Sequence, residues 1–176
     1  MIRALLIALT LSASPLLAQS RPSALAGQDT GAPIDFDADR IEIRDEISQA
    51  VLIGNVVIRQ GRLTLNADRV TVLYTRQGEN PAMQRLDARG NVRLVSPSET
   101  VTATSAIYDV PARLITMLGR VNLDRQGSKL SGQRLVLNLA SGATSFDART
   151  PGAQTGRVSG TFIVPERPAG EQTPPK

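Results

Sequence analysis

The side chains that most often carry enzyme chemistry are missing from this chain. Its 176 residues include no histidine and no cysteine, which removes the usual general base, the thiol nucleophile and the common zinc ligands. No Gly-x-Ser-x-Gly elbow occurs, and Gly127-Ser128-Lys129 lacks the spacing of a phosphate-cradling loop. Asp35, Asp37, Asp39 and Glu46 do stand at the spacing of the first, third, fifth and twelfth ligands of a calcium loop, but Arg40 occupies the position where such a loop needs glycine. The plainer reading is a strand whose aspartates face water while Ile34, Phe36 and Ala38 face a core. Two carboxylates converging on a cleft could serve a polysaccharide-degrading enzyme. The acidic residues here instead sit beside turns or alternate with apolar ones, as solvated positions do. The chain reads as a non-enzyme that needs neither metal nor cofactor.

Composition narrows the partners. The formal net charge is only +4, and the aromatic residues are Phe36, Tyr74, Tyr108, Phe146 and Phe162. Nucleic-acid readers usually combine clustered charge with stacking platforms, so nucleic acid is not expected. The chain opens with Arg3, an apolar run from Ala4 to Leu17 and a small residue at Ala18, the pattern of a secretory signal peptide. That run is shorter than a membrane-spanning helix requires, and Ser12, Ser14 and Pro15 interrupt it. The expected organisation is a signal peptide over 1–18, a flexible arm over 19–33, one β domain over 34–165 and a disordered tail over 166–176. Without cysteine the exported domain must be held by its core alone.

The elements that would form this core are short alternating runs, such as Val56/Ile58, Leu63/Leu65, Val70/Val72, Val92/Leu94 and Leu135/Leu137/Leu139. Successive strand side chains point to opposite faces, so each run is apolar on one side and polar on the other. The runs repeat. Gly54-Asn55-Val56, Gly90-Asn91-Val92 and Gly119-Arg120-Val121 each open an alternating strand, and each is followed at the same interval by a small residue, Ala67, Ala103 and Gly132. Ala38-Asp39-Arg40-Ile41 supplies a fourth copy of the second element, matching Ala67-Asp68-Arg69-Val70. The extra residues of the second unit are expected in a loop from Tyr74 to Pro81. Like units that cannot bury an apolar face alone imply a shared core, with the glycines at corners where one strand turns into the next. A filled β-solenoid scaffold and an ordinary sandwich with hairpin turns remain alternatives on this pattern.

The run from Gly54 through Val57-Ile58-Arg59-Gln60-Gly61 to Leu65-Asn66-Ala67-Asp68-Arg69-Val70 resembles the signature of the OstA-like, LptA-type periplasmic lipopolysaccharide transport proteins. The ends, from Pro33 to Asp39 and from Arg157 to Pro165, are also similar. The resemblance implies an all-β fold, an open V-shaped β-jellyroll of two antiparallel sheets, located in the periplasm after signal-peptide cleavage. It implies a carrier that shields the acyl chains of lipid A, with Ile34, Phe36, Ile58, Leu65, Val72, Tyr108 and Leu118 as lipid-lining positions. Burying methylenes, worth about 0.8 kcal/mol each, would hold the lipid without locking it to one pose. An open jellyroll leaves unpaired edge strands that recruit other chains. The edges expected here carry Ile34 and Phe36 at one end and Val158, Phe162 and Val164 at the other, suited to head-to-tail self-association. The implied partners are LptC at the inner membrane and LptD at the outer membrane.

Overall fold

The computed structural model describes residues 29–77, 80–148 and 156–163. The expected signal peptide, most of the arm, Val164 and the tail lie outside the described residues. Ten strands follow in order: β1 (Ile34–Asp37), β2 (Arg40–Arg44), β3 (Gln49–Gln60), β4 (Leu63–Gln77), β5 (Asn80–Val95), β6 (Glu99–Asp109), β7 (Leu114–Arg125), β8 (Ser128–Asn138), β9 (Thr144–Asp147) and β10 (Ser159–Thr161). Each long strand pairs antiparallel with its sequence neighbour, giving the order β1-β3-β4-β5-β6-β7-β8-β10, with β2 also on β3 and β9 also on β8. An antiparallel meander of this kind is not the parallel coil of a solenoid.

The repeat does not mark the starts of strands. Gly54, Gly90 and Gly119 lie inside β3, β5 and β7, where the ladder register shifts. At each site two residues oppose one: Gly54-Asn55 against Asp68, Gly90-Asn91 against Thr104, and Gly119-Arg120 against Gln133. Such a bulge bends the strand. Both bulge residues are left-handed, with φ of 79° and 44° at the first, 77° and 46° at the second, and 77° and 46° at the third. Glycine comes first because a Cβ at Gly54 or Gly90 would fall on the carboxylate of Asp39 or Asp68, and one at Gly119 would lie 2.8 Å from Thr104 Oγ1. Asparagine comes second because it tolerates this conformation. Its amide also donates to the facing aspartate, Asn55 to Asp39 at 2.9 Å and Asn91 to Asp68 at 2.9 Å. Asp39 sits in the break between β1 and β2 and bonds the first corner from there. The fourth copy is therefore the same corner on the outermost strand.

The aligned corners crease the sheet into two leaves. The front leaf holds β1, residues 56–60, 63–67, 92–95, 99–103, 121–125 and 128–132, and β10. The back leaf holds β2, the other halves of the long strands, and β9. Across the front leaf one inward row runs Phe36, Ile58, Leu65, Leu94, Val101, Leu123 and Leu130 in direct register. Across the back leaf another runs Ala50, Val72, Leu86, Tyr108, Ile115 and Leu137. Apart from the exposed Phe36, the two rows share one hydrophobic core. The expected pair of sheets is thus a single ladder folded on itself.

Two further expectations change. The extra residues of the second unit lengthen β4 and β5, with Tyr74 opposite Met83 and Arg76 opposite Pro81. Pro81 is tolerated because this extension runs past the end of β6, where its missing N–H interrupts no ladder on that side. The last part of the arm is not free: Gly31 N and Ala32 N bond to Asp29 in a turn, and Gln60 Nε2 donates to the carbonyls of Thr30 (3.0 Å) and Ala32 (3.2 Å).

Candidate functional site

Between the leaves runs an apolar trough of uneven width. Its inner part is a cavity of about 40 Å³ between Ile58, Leu65 and Leu94 of the front leaf and Leu86, Ala106 and Ile115 of the back leaf, room for little more than a water or a methyl group. Ile34, Ile58 and Leu86 are shared with the next part, about 140 Å³, which also meets Phe36, Ile41, Leu52, Val72 and Met83. That part continues past Phe36, Ile41 and Tyr74 into a mouth of about 400 Å³ beside β2. At the opposite end Met117, Val121, Leu135 and Leu137 are completely buried and Leu139 nearly so; there the leaves fill one another.

The walls are apolar because alternation gives each strand one inward face, and they stay open near β1 and β2 because these strands are short. Phe36 is 47% exposed, Ile41 44% and Ile43 62%, large side chains for which the described residues supply no cover. Six of the seven expected lining residues, Ile34, Phe36, Ile58, Leu65, Val72 and Tyr108, stand on the trough wall. Leu118 does not. It follows the buried Met117 and pairs with Ser105 and Arg134, so it belongs to the outer face. The inward positions of β7 are odd-numbered on both sides of the Gly119-Arg120 corner, at Ile115, Met117, Val121 and Leu123, so alternation already turns Leu118 outward and only the family resemblance had suggested otherwise.

Ile41, Leu86, Ala106, Ile115 and Gln60 also line the trough and were not expected there. Leu86 shares the even-numbered alternation of Ala88, Val92 and Leu94, and Ile41 that of the fourth copy, so both were legible. Gln60 reads locally as a turn residue before Gly61 and gives no such signal.

The polar groups fall into separate places. Gln60 is buried in the wall of the inner cavity and Glu99 at the start of β6. Tyr108 Oη donates to Gln60 Oε1 at 3.1 Å, and Arg125 Nε lies 2.6 Å from Glu99 Oε1 in the neighbouring strand. Burial raises the Tyr108 hydroxyl's pKa, against the nearby charge of Arg113 and the bond to Gln60. At the outer mouth, Asp45 Oδ1 accepts from Tyr74 Oη at 2.9 Å and Arg76 Nη2 at 2.7 Å. The Tyr74 bond first, and then Arg76, hold its carboxyl below the ordinary value; the same contacts raise Tyr74 and Arg76. Glu42 takes Arg40 and Arg44 nearby. Asp35 and Asp37 lie on the outward side of β1, where Asp37 pairs with Arg59 at 2.5 Å. Among the described residues no group of acidic side chains is arranged to hold a metal ion.

The family model described as LptA/(LptD N-terminal domain) LPS transport protein matches residues 35–143, from β1 to the turn after β8. This chain belongs to that family. The LptA/LptD-N chain is 30% identical over 147 residues to an uncharacterized protein of Rhizobium meliloti, covering 79% of each. It is 26% identical over 129 residues to the lipopolysaccharide export system protein LptA of Escherichia coli (strain K12), covering 70% of this chain and 69% of that one. Its fold matches the crystal structure of LptH, the LptA-homologous periplasmic component of the lipopolysaccharide transport device of Pseudomonas aeruginosa. The TM-score is 0.67 at 19% identity, over 78% of this chain and 99% of that one. The open all-β fold is therefore the family's own.

Proposed function

We propose that this protein is a periplasmic carrier that shelters the acyl chains of lipopolysaccharide on their way from the inner to the outer membrane. The observation that carries this reading is the trough that widens from about 40 to about 400 Å³ between two apolar leaves. A wall of Ile34, Phe36, Ile58, Leu65 and Val72 offers methylenes nothing directional to bond, so a chain is held by area alone and slides without losing a specific contact. Each buried methylene contributes about 0.8 kcal/mol, and a few are enough to retain a lipid against water.

The ends of the ladder suit the bridge expected of the family. At one end the bent β3 is flanked by β1 and β2; at the other β8 is flanked by β9 and β10. Both ends leave strand edges and large apolar side chains in water, Phe36, Ile41 and Ile43 at one and Val158, Phe162 and Ile163 at the other. Edges of this kind pair with another chain, and unlike ends give an open array rather than a closed dimer. The partners that fit are a second copy, LptC on the inner-membrane side and LptD on the outer-membrane side. A photo-crosslinking residue at Phe36 should capture lipopolysaccharide in cells, and one at Leu118, on the outer face, should not. Equal capture at both, or none at Phe36, overturns the assignment.

A further inference from the structure

The side-chain hydrogen bonds of the sheet mostly join neighbouring strands. The bond between Tyr108 and Gln60 does not. Gln60 ends β3 in the front leaf and pairs with Ile34 and Leu63; Tyr108 lies in the back half of β6 and pairs with Leu86 and Ile115. Their contact at 3.1 Å spans the open side of the fold. Both residues line the inner cavity, whose other walls are apolar.

We propose that Gln60 and Tyr108 form a clasp that closes the trough over its inner cavity and must part for an acyl chain to pass beyond the mouth. The proposal rests on the carrier reading given above. Two features suit the pair to this task. The Gln60 amide is fully engaged when the clasp is shut: Oε1 accepts from Tyr108, and Nε2 is held by the carbonyls of Thr30 and Ala32. Gln60 is thereby oriented with its oxygen toward the tyrosine, and neither end of its amide is left buried without a partner. The clasp is also weak enough to open. A hydrogen bond of this kind shifts an equilibrium by about ten-fold or less, whereas each methylene entering the trough shifts it by about four-fold. Burying two methylenes offsets the lost bond. A leucine pair at the same positions would close the trough by packing, with nothing to switch.

The test compares the purified wild type with Tyr108→Phe, which keeps the ring and removes the hydroxyl alone, and with Gln60→Met, which keeps the length and removes both the acceptor and the Nε2 donor to Thr30 and Ala32. The chain has no cysteine, so nitroxide labels at Arg62→Cys and Ala112→Cys, in the turns at the free lips of the two leaves, report their separation alone. Both positions are exposed, one between β3 and β4 on the front leaf and one between β6 and β7 on the back. The wild type should show a shorter label separation that lengthens when lipid A is added. Both variants should populate the longer separation before lipid is present and take up fluorescent lipid A about two- to ten-fold faster. Folded variants with unchanged separation and unchanged uptake overturn the clasp. Should the wild type take up no lipid A, the carrier reading falls, and the label separations of the lipid-free variants still decide the clasp by themselves.

Discussion

The two ends of the trough are built from the same rows of side chains and do opposite things. Toward β8 the leaves meet through Met117, Val121, Leu135 and Leu137, all fully buried; toward β1 and β2 the same rows end in Ile41, Ile43 and Phe36, left in water. Alternation makes a face apolar at both ends. What differs is whether another strand stands opposite to cover it. A filled end clamps the leaves together, which lets the other end stay apart without the sheet collapsing onto itself.

The widest separation should appear in stability. Leu137→Ala, at the filled end, should cost about 2–5 kcal/mol in chemical denaturation, while Ile43→Ala, at the open end, should stay within about 0.5 kcal/mol. Comparable losses at the two positions would break the contrast. Next in size is the crease that both ends share. Gly90→Ala places a Cβ against the Asp68 carboxylate at a φ of 77° and should cost about 1–3 kcal/mol; an unchanged denaturation midpoint would show that the crease does not need glycine.

The third corner sharpens the point in the other direction. Arg120 holds a φ of 46° where the first two corners have asparagine, so Arg120→Asn should stabilise by about 0.5–1 kcal/mol, and a lower melting temperature would contradict this. The smallest effect belongs to the mouth. The folded pKa of Asp45 lies below its ordinary 3.8, so its bonds to Tyr74 and Arg76 add stability that is present above that value and lost as pH falls through the lower folded one. Melting temperature measured from pH 5 down to pH 2 should therefore fall less steeply in Asp45→Asn than in the wild type. Identical slopes would remove Asp45 from the account.

How far local pattern reaches is visible in β4. Its inward residues are odd-numbered at Leu63 and Leu65 and even-numbered at Val70 and Val72. A slip of this kind looks like the boundary between two strands, while the glycines looked like strand starts because glycine reads as a turn, although the inward positions stay even-numbered across Gly54 and Gly90. Both are corners inside continuous strands, because two residues opposing one at each bulge shift the alternation of the facing strand without interrupting the ladder. Leu118 was assigned inward from the family resemblance, against the alternation of its own strand, and Gln60 was passed over because its importance depends on a tyrosine 48 positions away.

Residue order alone determined that the chain is all-β, which of its strand faces are apolar, where its corners recur and that the usual catalytic side chains are absent, because each is a property of near neighbours or of composition. Only the folded ladder decided which apolar rows confront each other, which end of the trough is filled and which open, and that Gln60 meets Tyr108. Those depend on how three stacked bends bring distant strands face to face, and no interval along the chain encodes that distance.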